Sequence, residues 1–391
     1  SRSFLSSGVT AVTGTTVNSS TPQIGVLGTP VIDLNSGTLY AVAETAEQAN
    51  TYFPHRLHAL DITTGNEKFG GPVLISDPNL PPIHKMERTG LVLSNGNVYF
   101  GFGSIGDRAP YSGFIFAFDA TSLAHKYTWT STPSGSEGGI WMSGGSPAVD
   151  PSGNLYVATG NGSFDGSNNF GESAVKLSPS LSVLDSFTPY NYASLDTTDS
   201  DLGSGSFALL PDQSGQHPHE AVLCGKTPSI YVLDRDRLGG VGSGSDNIIQ
   251  RLDNVVGTTN TANRDANKSC FVTPAFWNGN LYIVGNHDAL KVFALDSSTG
   301  LLSSSAVAQG PYTYNWPGSQ PVISARGTTN GIVWTLDQGS GTLTANDAAN
   351  VTHQLFQTTV SGGINRFTAP TVVNGFVYVG GQFKLVAYSL Q

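Results

Sequence analysis

The sequence predicts an all-β chain of seven successive four-stranded sheets, on three observations. A small residue followed by a short apolar strand recurs at positions 30, 90, 147, 207, 274, 321 and 370, a spacing of 47 to 67 residues. Each recurrence runs through a turn into a second and a third strand. The composition suits short strands and tight turns rather than helices: of 391 residues 47 are Gly, and charged residues are only 12%. Helices with solvated faces would need far more Lys and Glu.

The elements follow in order within each repeat. The opening strands read VID, LVL, AVD, ALL, AFW, VIS and TVV. They run into turns at Asn35-Ser36-Gly37, Asn95-Gly96, Ser152-Gly153, Asn278-Gly279, Asn330-Gly331 and Asn374-Gly375. Asn-Gly tolerates the positive φ of a type I′ hairpin turn, so these are strong hairpin signals. Second strands follow as LYAVA, VYFGFG, LYVATG, LYIVG, IVWTL and VYVGG, and third strands as LHALD, IFAFD, AVKLS, IYVLD, KVFALD, LTAND and LVAYSL. A weaker fourth segment, such as Lys68-Phe69, completes the sheet in several repeats.

Radially repeated four-stranded sheets of this period make a β-propeller. The last repeat supplies only three strands, so Ser3-Phe4-Leu5 is expected to pair as its fourth and close the ring. Residues 1–391 are read as one seven-bladed domain. The alternative is an eight-bladed relative that lacks one blade.

Formal net charge is −10 and the pI about 5.1. Nucleic-acid partners are disfavoured, because phosphate neutralisation needs clustered Lys and Arg. No apolar run approaches the length of a membrane span. No leader precedes Ser1, so the sequence reads as a mature or trimmed chain. Cys224 and Cys270 are the only cysteines. An even pair suits one disulfide in an oxidising compartment, secreted or periplasmic, against two buried thiols as the alternative. Cys224 ends a second strand and Cys270 precedes the next blade's first strand, which puts both on one face of neighbouring blades.

The stretch Leu57-His58-Ala59-Leu60-Asp61-x-x-Thr64-Gly65-x-x-x-Phe69 resembles the tryptophan-docking repeat of pyrroloquinoline-quinone (PQQ) dependent alcohol dehydrogenases, with Phe69 where that family has Trp. Weaker copies stand at Phe116-Ala117-Phe118-Asp119 and at Phe293-Ala294-Leu295-Asp296-x-x-Thr299-Gly300. The whole chain is similar to extracellular PQQ-like repeat proteins of bacteria and fungi. That resemblance implies the propeller scaffold, with PQQ and Ca²⁺ as the cofactors it would bring. Those dehydrogenases also carry an adjacent Cys-Cys disulfide, a Glu/Asn/Asp set on the ion and an Asp base. Here the cysteines are not adjacent, and no position-by-position match to the ion's set is found.

Propeller topology gathers the blade-opening segments and the loops between second and third strands on one face. That face collects His84, Lys85, Glu87, Arg88, Trp141, Asp199, Asp201, Lys226, Trp316 and Arg366. Arg88, Trp141, Asp201, Lys226 and Arg366 are expected to surround an axial mouth and bind a ligand. The other reading is an internal salt-bridge network, with Trp141 plugging the channel and His58 a satisfied structural histidine. Asp199 and Asp201 alternate as calcium-loop carboxylates do, or serve a solvated turn.

Two functions compete. One is a secreted, non-catalytic propeller that binds a carbohydrate or protein ligand through this face. The other is a PQQ- or metal-dependent oxidoreductase acting on sugars or alcohols. A lyase or hydrolase is weaker, since no G-x-S-x-G or H-E-x-x-H is present.

Overall fold

The computed structural model of the chain describes residues 3–14, 23–78, 85–258, 269–382 and 384–389. The chain is nearly all β, and its seven successive sheets are those of a seven-bladed β-propeller. Among the described residues the helical segments are Tyr192–Thr197 and two single turns, Met142–Gly144 and Leu202–Ser204. Residues divide into two compact units, Ser1–Asp199 and Ser200–Gln391, which carry blades 1 to 3 and 4 to 7.

In the first unit, blade 1 is built from Val31–Asp33, Thr38–Glu44, His55–Asp61 and Val73–Leu74. Its fourth strand is Val73–Leu74, paired with Arg56 and Leu57; the Lys68-Phe69 stretch joins the same edge only briefly, Glu67 bridging Leu60 and the Lys68 N–H donating to the Ala59 carbonyl before a turn at Phe69. The Asp-x-x-Thr-Gly repeat explains that turn. Asp61 Oδ1 accepts the N–H groups of Thr63 and Thr64 and the Thr64 hydroxyl, so the carboxylate organises four residues locally. Asp119 does the same for Thr121 and Ser122, and those bonds hold its carboxyl down to about 2.

Hairpin chemistry places most of the turns. Asn95-Gly96, Asn278-Gly279 and Asn374-Gly375 all have positive φ at both residues, as a type I′ turn requires. Blade 6 differs. Its first hairpin turns at Gly327-Thr328, because Arg326 pairs Thr329 across it. Asn330 is instead a kinked residue inside the strand Thr329–Asp337.

Blades stack through apolar layers made by alternate residues of their middle strands. Blades 1 and 2 share Tyr40, Val42, Leu57 and Ala59 with Phe100, Phe102, Phe114, Phe116 and Phe118. Burying one such aromatic contributes about 2–3 kcal/mol. Blades 4 and 5, 5 and 6, and 6 and 7 share layers of the same kind in the second unit. The recurring Tyr of the second strand adds a tie. Tyr40, Tyr99 and Tyr282 each donate to a carbonyl just after the next blade's third strand, at Ala120, Pro179 and Ala348. The phenol end thereby finds a partner that burial would otherwise deny it.

The sheet formed by Thr371–Val373, Phe376–Gly381 and Lys384–Ser389 is three-stranded among the described residues. Ser3-Phe4-Leu5 does not form its fourth strand. The Phe4 ring stacks on His58 of blade 1, with centroids 4.0 Å apart. That face of blade 1 offers an aromatic imidazole, and His58 is fixed there by Glu67 at 2.7 Å.

Candidate functional site

In the first unit, Lys85–Glu87 pairs with Asn97–Ser104 and leads into Arg88. Glu87 is buried. One oxygen accepts the Gly28 N–H at 2.9 Å, the other has no partner, and burial pushes the carboxyl far up. Arg88 is half-buried, and burial pulls its guanidinium down to about 10 against the opposing charge of Glu87. Lys85 is fully buried. Its Nζ donates to the Ser112 carbonyl at 2.8 Å and lies 4.4 Å from the Phe114 ring centroid; burial lowers it to about 8. His84 lies outside the described residues.

Trp141 occupies a slot cut by two glycines. A Cβ on Gly103 would fall 2.5 Å from the indole, and one on Gly139 would fall 2.7 Å from it. Tyr111 meets the ring edge-on at 6.4 Å. The glycine run thus serves close approach of the backbone to the ring. Gly103→Ala is expected to cost about 1–3 kcal/mol by overpacking and to shift tryptophan emission. An unchanged midpoint in denaturant titration would count against that slot.

Sequence patterning missed a buried pair beside this region. Glu44 and His55 face each other across the second and third strands of blade 1, with Oε2 and Nε2 3.7 Å apart. Neither Glu44 oxygen nor His55 Nε2 has a hydrogen-bond partner. Burial pushes Glu44 up to about 8 and His55 down to about 3. Both are therefore uncharged around neutrality. Their only signal in the sequence is a charged residue at each end of an apolar hairpin.

In the second unit, Cys224 and Cys270 form a disulfide, with Cα atoms 5.7 Å apart. Both are buried in the layer of Leu210, Val222, Ile230 and Leu252. The bridge fixes the adjoining loops. Cys270 N–H donates to the Gly225 carbonyl and Lys226 N–H to the Asp201 carbonyl. Lys226 Nζ meets buried Asp201 at 2.5 Å. Asp199, at the end of the first unit, is exposed and accepts from Asn161 at 3.4 Å.

Phe271, next to the bridge, meets half-buried Trp316 edge-on at 5.9 Å. The exposed Arg366 guanidinium lies 4.3 Å from the Trp316 centroid, and Phe367 touches the same indole. Of the residues expected from sequence, the second unit thus brings Lys226 to Asp201 and Arg366 to Trp316. Among the described residues, no three His, Cys, Asp or Glu side chains converge to hold a metal ion.

No family model and no curated protein sequence matches the chain. Solved structures do resemble it. The quinohemoprotein alcohol dehydrogenase from Comamonas testosteroni is 16% identical, with 91% of this chain and 70% of that one covered and a TM-score of 0.58. A europium-containing methanol dehydrogenase is 13% identical over 90% and 72% of the two chains, with a TM-score of 0.62. BamB from Moraxella catarrhalis is 11% identical over 93% and 82%, with a TM-score of 0.53. These likenesses show the fold, a PQQ-like β-propeller. Among the described residues no helix is long and apolar enough to cross a membrane.

Proposed function

We propose that the chain is an oxidoreductase of quinoprotein type, acting on an alcohol or a sugar with a planar, carboxylate-bearing quinone bound in the second unit. The observation that carries this reading is the exposed Arg366 guanidinium laid on Trp316, with Phe271 and the buried Cys224–Cys270 bridge behind it. A flat anion finds there both a stacking surface and a fork of donors. Lys226, held by Asp201, adds a second cation. The dehydrogenase fold neighbours support the same class, and the disulfide supports a place outside the reducing cytosol, secreted or periplasmic.

The donor set does not fit the divalent ion that accompanies PQQ in such enzymes. Asp201 is already paired with Lys226, and no third carboxylate or imidazole joins it among the described residues. What the chain's own residues do is hold and orient: Arg366 fixes the anionic edge and Trp316 the plane.

Titrating the whole chain with PQQ, with and without Ca²⁺, should quench tryptophan emission saturably. Arg366→Gln should weaken that binding at least about tenfold. Reduction of an artificial dye with an alcohol and sugar panel then reads turnover. No quenching by PQQ would overturn the proposal. Binding without turnover would favour the second reading, a non-catalytic propeller for a carbohydrate or protein ligand. In that reading Asp201, Lys226 and Arg366 of the second unit serve as ligand contacts.

A further inference from the structure

Asn-x-Ser/Thr triplets stand in the sequence at Asn18, Asn161, Asn267 and Asn350. Such a triplet accepts an N-linked oligosaccharide where it sits on a surface turn of a chain that leaves the cytosol. Asn18 and Asn267 lie outside the described residues. The other two have opposite surroundings.

Asn161 is half-buried and its groups are in use. Nδ2 donates to Asp199 at 3.4 Å, and the Asn161 carbonyl accepts the Gly138 N–H. The rest of its triplet is engaged as well: the Gly162 N–H donates to Asp196, and Ser163 Oγ accepts the Ser136 N–H. A sugar on Nδ2 would have to break into that set.

Asn350 opens the outer strand of blade 6, Asn350–Thr359, just after a turn that Asp347 builds by accepting the Ala349 N–H. Asn350 and Thr352 are exposed, while Val351 between them is buried with Leu290, Val292 and Val333. That alternation is the period of a strand, and it sets both polar side chains on the solvent side. The Thr352 hydroxyl donates to Asn350 Oδ1 at 2.7 Å, which leaves Nδ2 without a partner among the described residues. The bond spans two residues, so it is available to the chain before the blade closes.

We propose that Asn350 carries an N-linked oligosaccharide and that Asn161 stays bare. The donor is an oligosaccharide borne on a lipid diphosphate. The bond from Nδ2 to the anomeric carbon forms as the bond from that carbon to a diphosphate oxygen breaks. The lipid diphosphate leaves with the electron pair, and Nδ2 releases one proton. The Cys224–Cys270 bridge suits the same oxidising route. Within the second unit the glycan lies clear of Trp316. Asn350 pairs with Asp347 at one end of the sheet, whereas Asn315, next to Trp316, donates to Asp337 at the other. Roughly 30 Å of strand separates those ends.

The test passes the whole chain through the secretory route of a eukaryotic host. Digestion with a peptide-N-glycosidase in heavy-oxygen water then converts each carrying asparagine to a labelled aspartate, read by peptide mass spectrometry. Asn350 should be labelled in most molecules and Asn161 in few. Thr352→Val keeps the side-chain shape without the hydroxyl and should lose the label at Asn350; Thr352→Ser should retain it. Both variants should melt with the parent, since Thr352 is exposed. A bare Asn350, an equal label in Thr352→Val, or a label on Asn161 matching that on Asn350 overturns the proposal. Should a variant stay inside the host cell, the same digest on the retained chain decides by the same outcomes.

Discussion

Replacing Cys224 and Cys270 together by alanine should lower the unfolding free energy by about 4 kcal/mol. The bridge closes a 46-residue separation, and constraint of the unfolded chain by a loop of that length accounts for about that much. Alanine is the informative choice. Both sulfurs sit in an apolar layer with Val222, Ile230 and Leu252, where serine would add the separate cost of a buried hydroxyl. The loss should be read as a shift in denaturant midpoint against the oxidised parent. A change below about 1 kcal/mol would mean that native strain or residual unfolded structure cancels the constraint. Two titratable thiols in the denatured, unreduced parent would remove the bridge altogether.

The second large effect is on stability against pH. His55 in the folded chain is pulled down to about 3 from an ordinary 6.5. A depressed group contributes stability that is present above 6.5 and lost as pH falls toward 3. Glu44 is pushed up to about 8 from 4.5, and Glu220 to about 7, chiefly by burial. A raised group contributes stability that is present below 4.5 and lost as pH rises toward 7 or 8. The two limbs oppose each other, and above 4.5 the two carboxyls outweigh the one histidine, so stability should peak at about pH 4.5. Each group then tilts its limb by roughly 1.4 kcal/mol per pH unit. Glu44→Gln should flatten the alkaline limb without abolishing it, because Glu220 and Glu87 titrate there as well. His55→Gln should flatten the rise between about pH 3.8 and 4.5, above the range of the depressed aspartates such as Asp119, and steepen the fall between 4.5 and 6.5. Melting temperatures across pH 3.5 to 8.5 check both. A parent whose stability rises steadily from pH 6 to 8.5 contradicts the sign assigned to the carboxyls.

Much of the fold was legible because its information is local. The Asn-Gly turns at residues 95, 278 and 374 carry their own backbone preference, and Asp61 and Asp119 build their turns from neighbours two and three residues on. The blade period follows from these short-range signals alone. The pairing of Cys224 with Cys270 was accessible through topology, since both stand at strand ends on one face of adjacent blades. Where local signals were ambiguous, the reading slipped. Asn330-Gly331 resembles a hairpin turn, yet the strand pairing begins earlier and the turn falls at Gly327. Gly331 instead lies against the Trp277 ring, where a Cβ would fall 2.7 Å from it.

The candidate site was legible in its residue types and not in its partners. Arg366 was picked out as a ligand contact, but its stacking on Trp316 joins residues 50 positions apart in the sequence. Glu44 and His55 look like ordinary polar strand ends, and only burial of the hairpin makes them an uncharged pair. Ser3-Phe4-Leu5 carries strand-forming residues and was expected to close the last blade; contact of Phe4 with His58 decided otherwise. By itself the sequence determined the strands, the turns and their period, because each depends on backbone preferences within a few residues. The tertiary structure decided which side chains meet and which charges are desolvated, because those depend on packing between segments far apart in the chain.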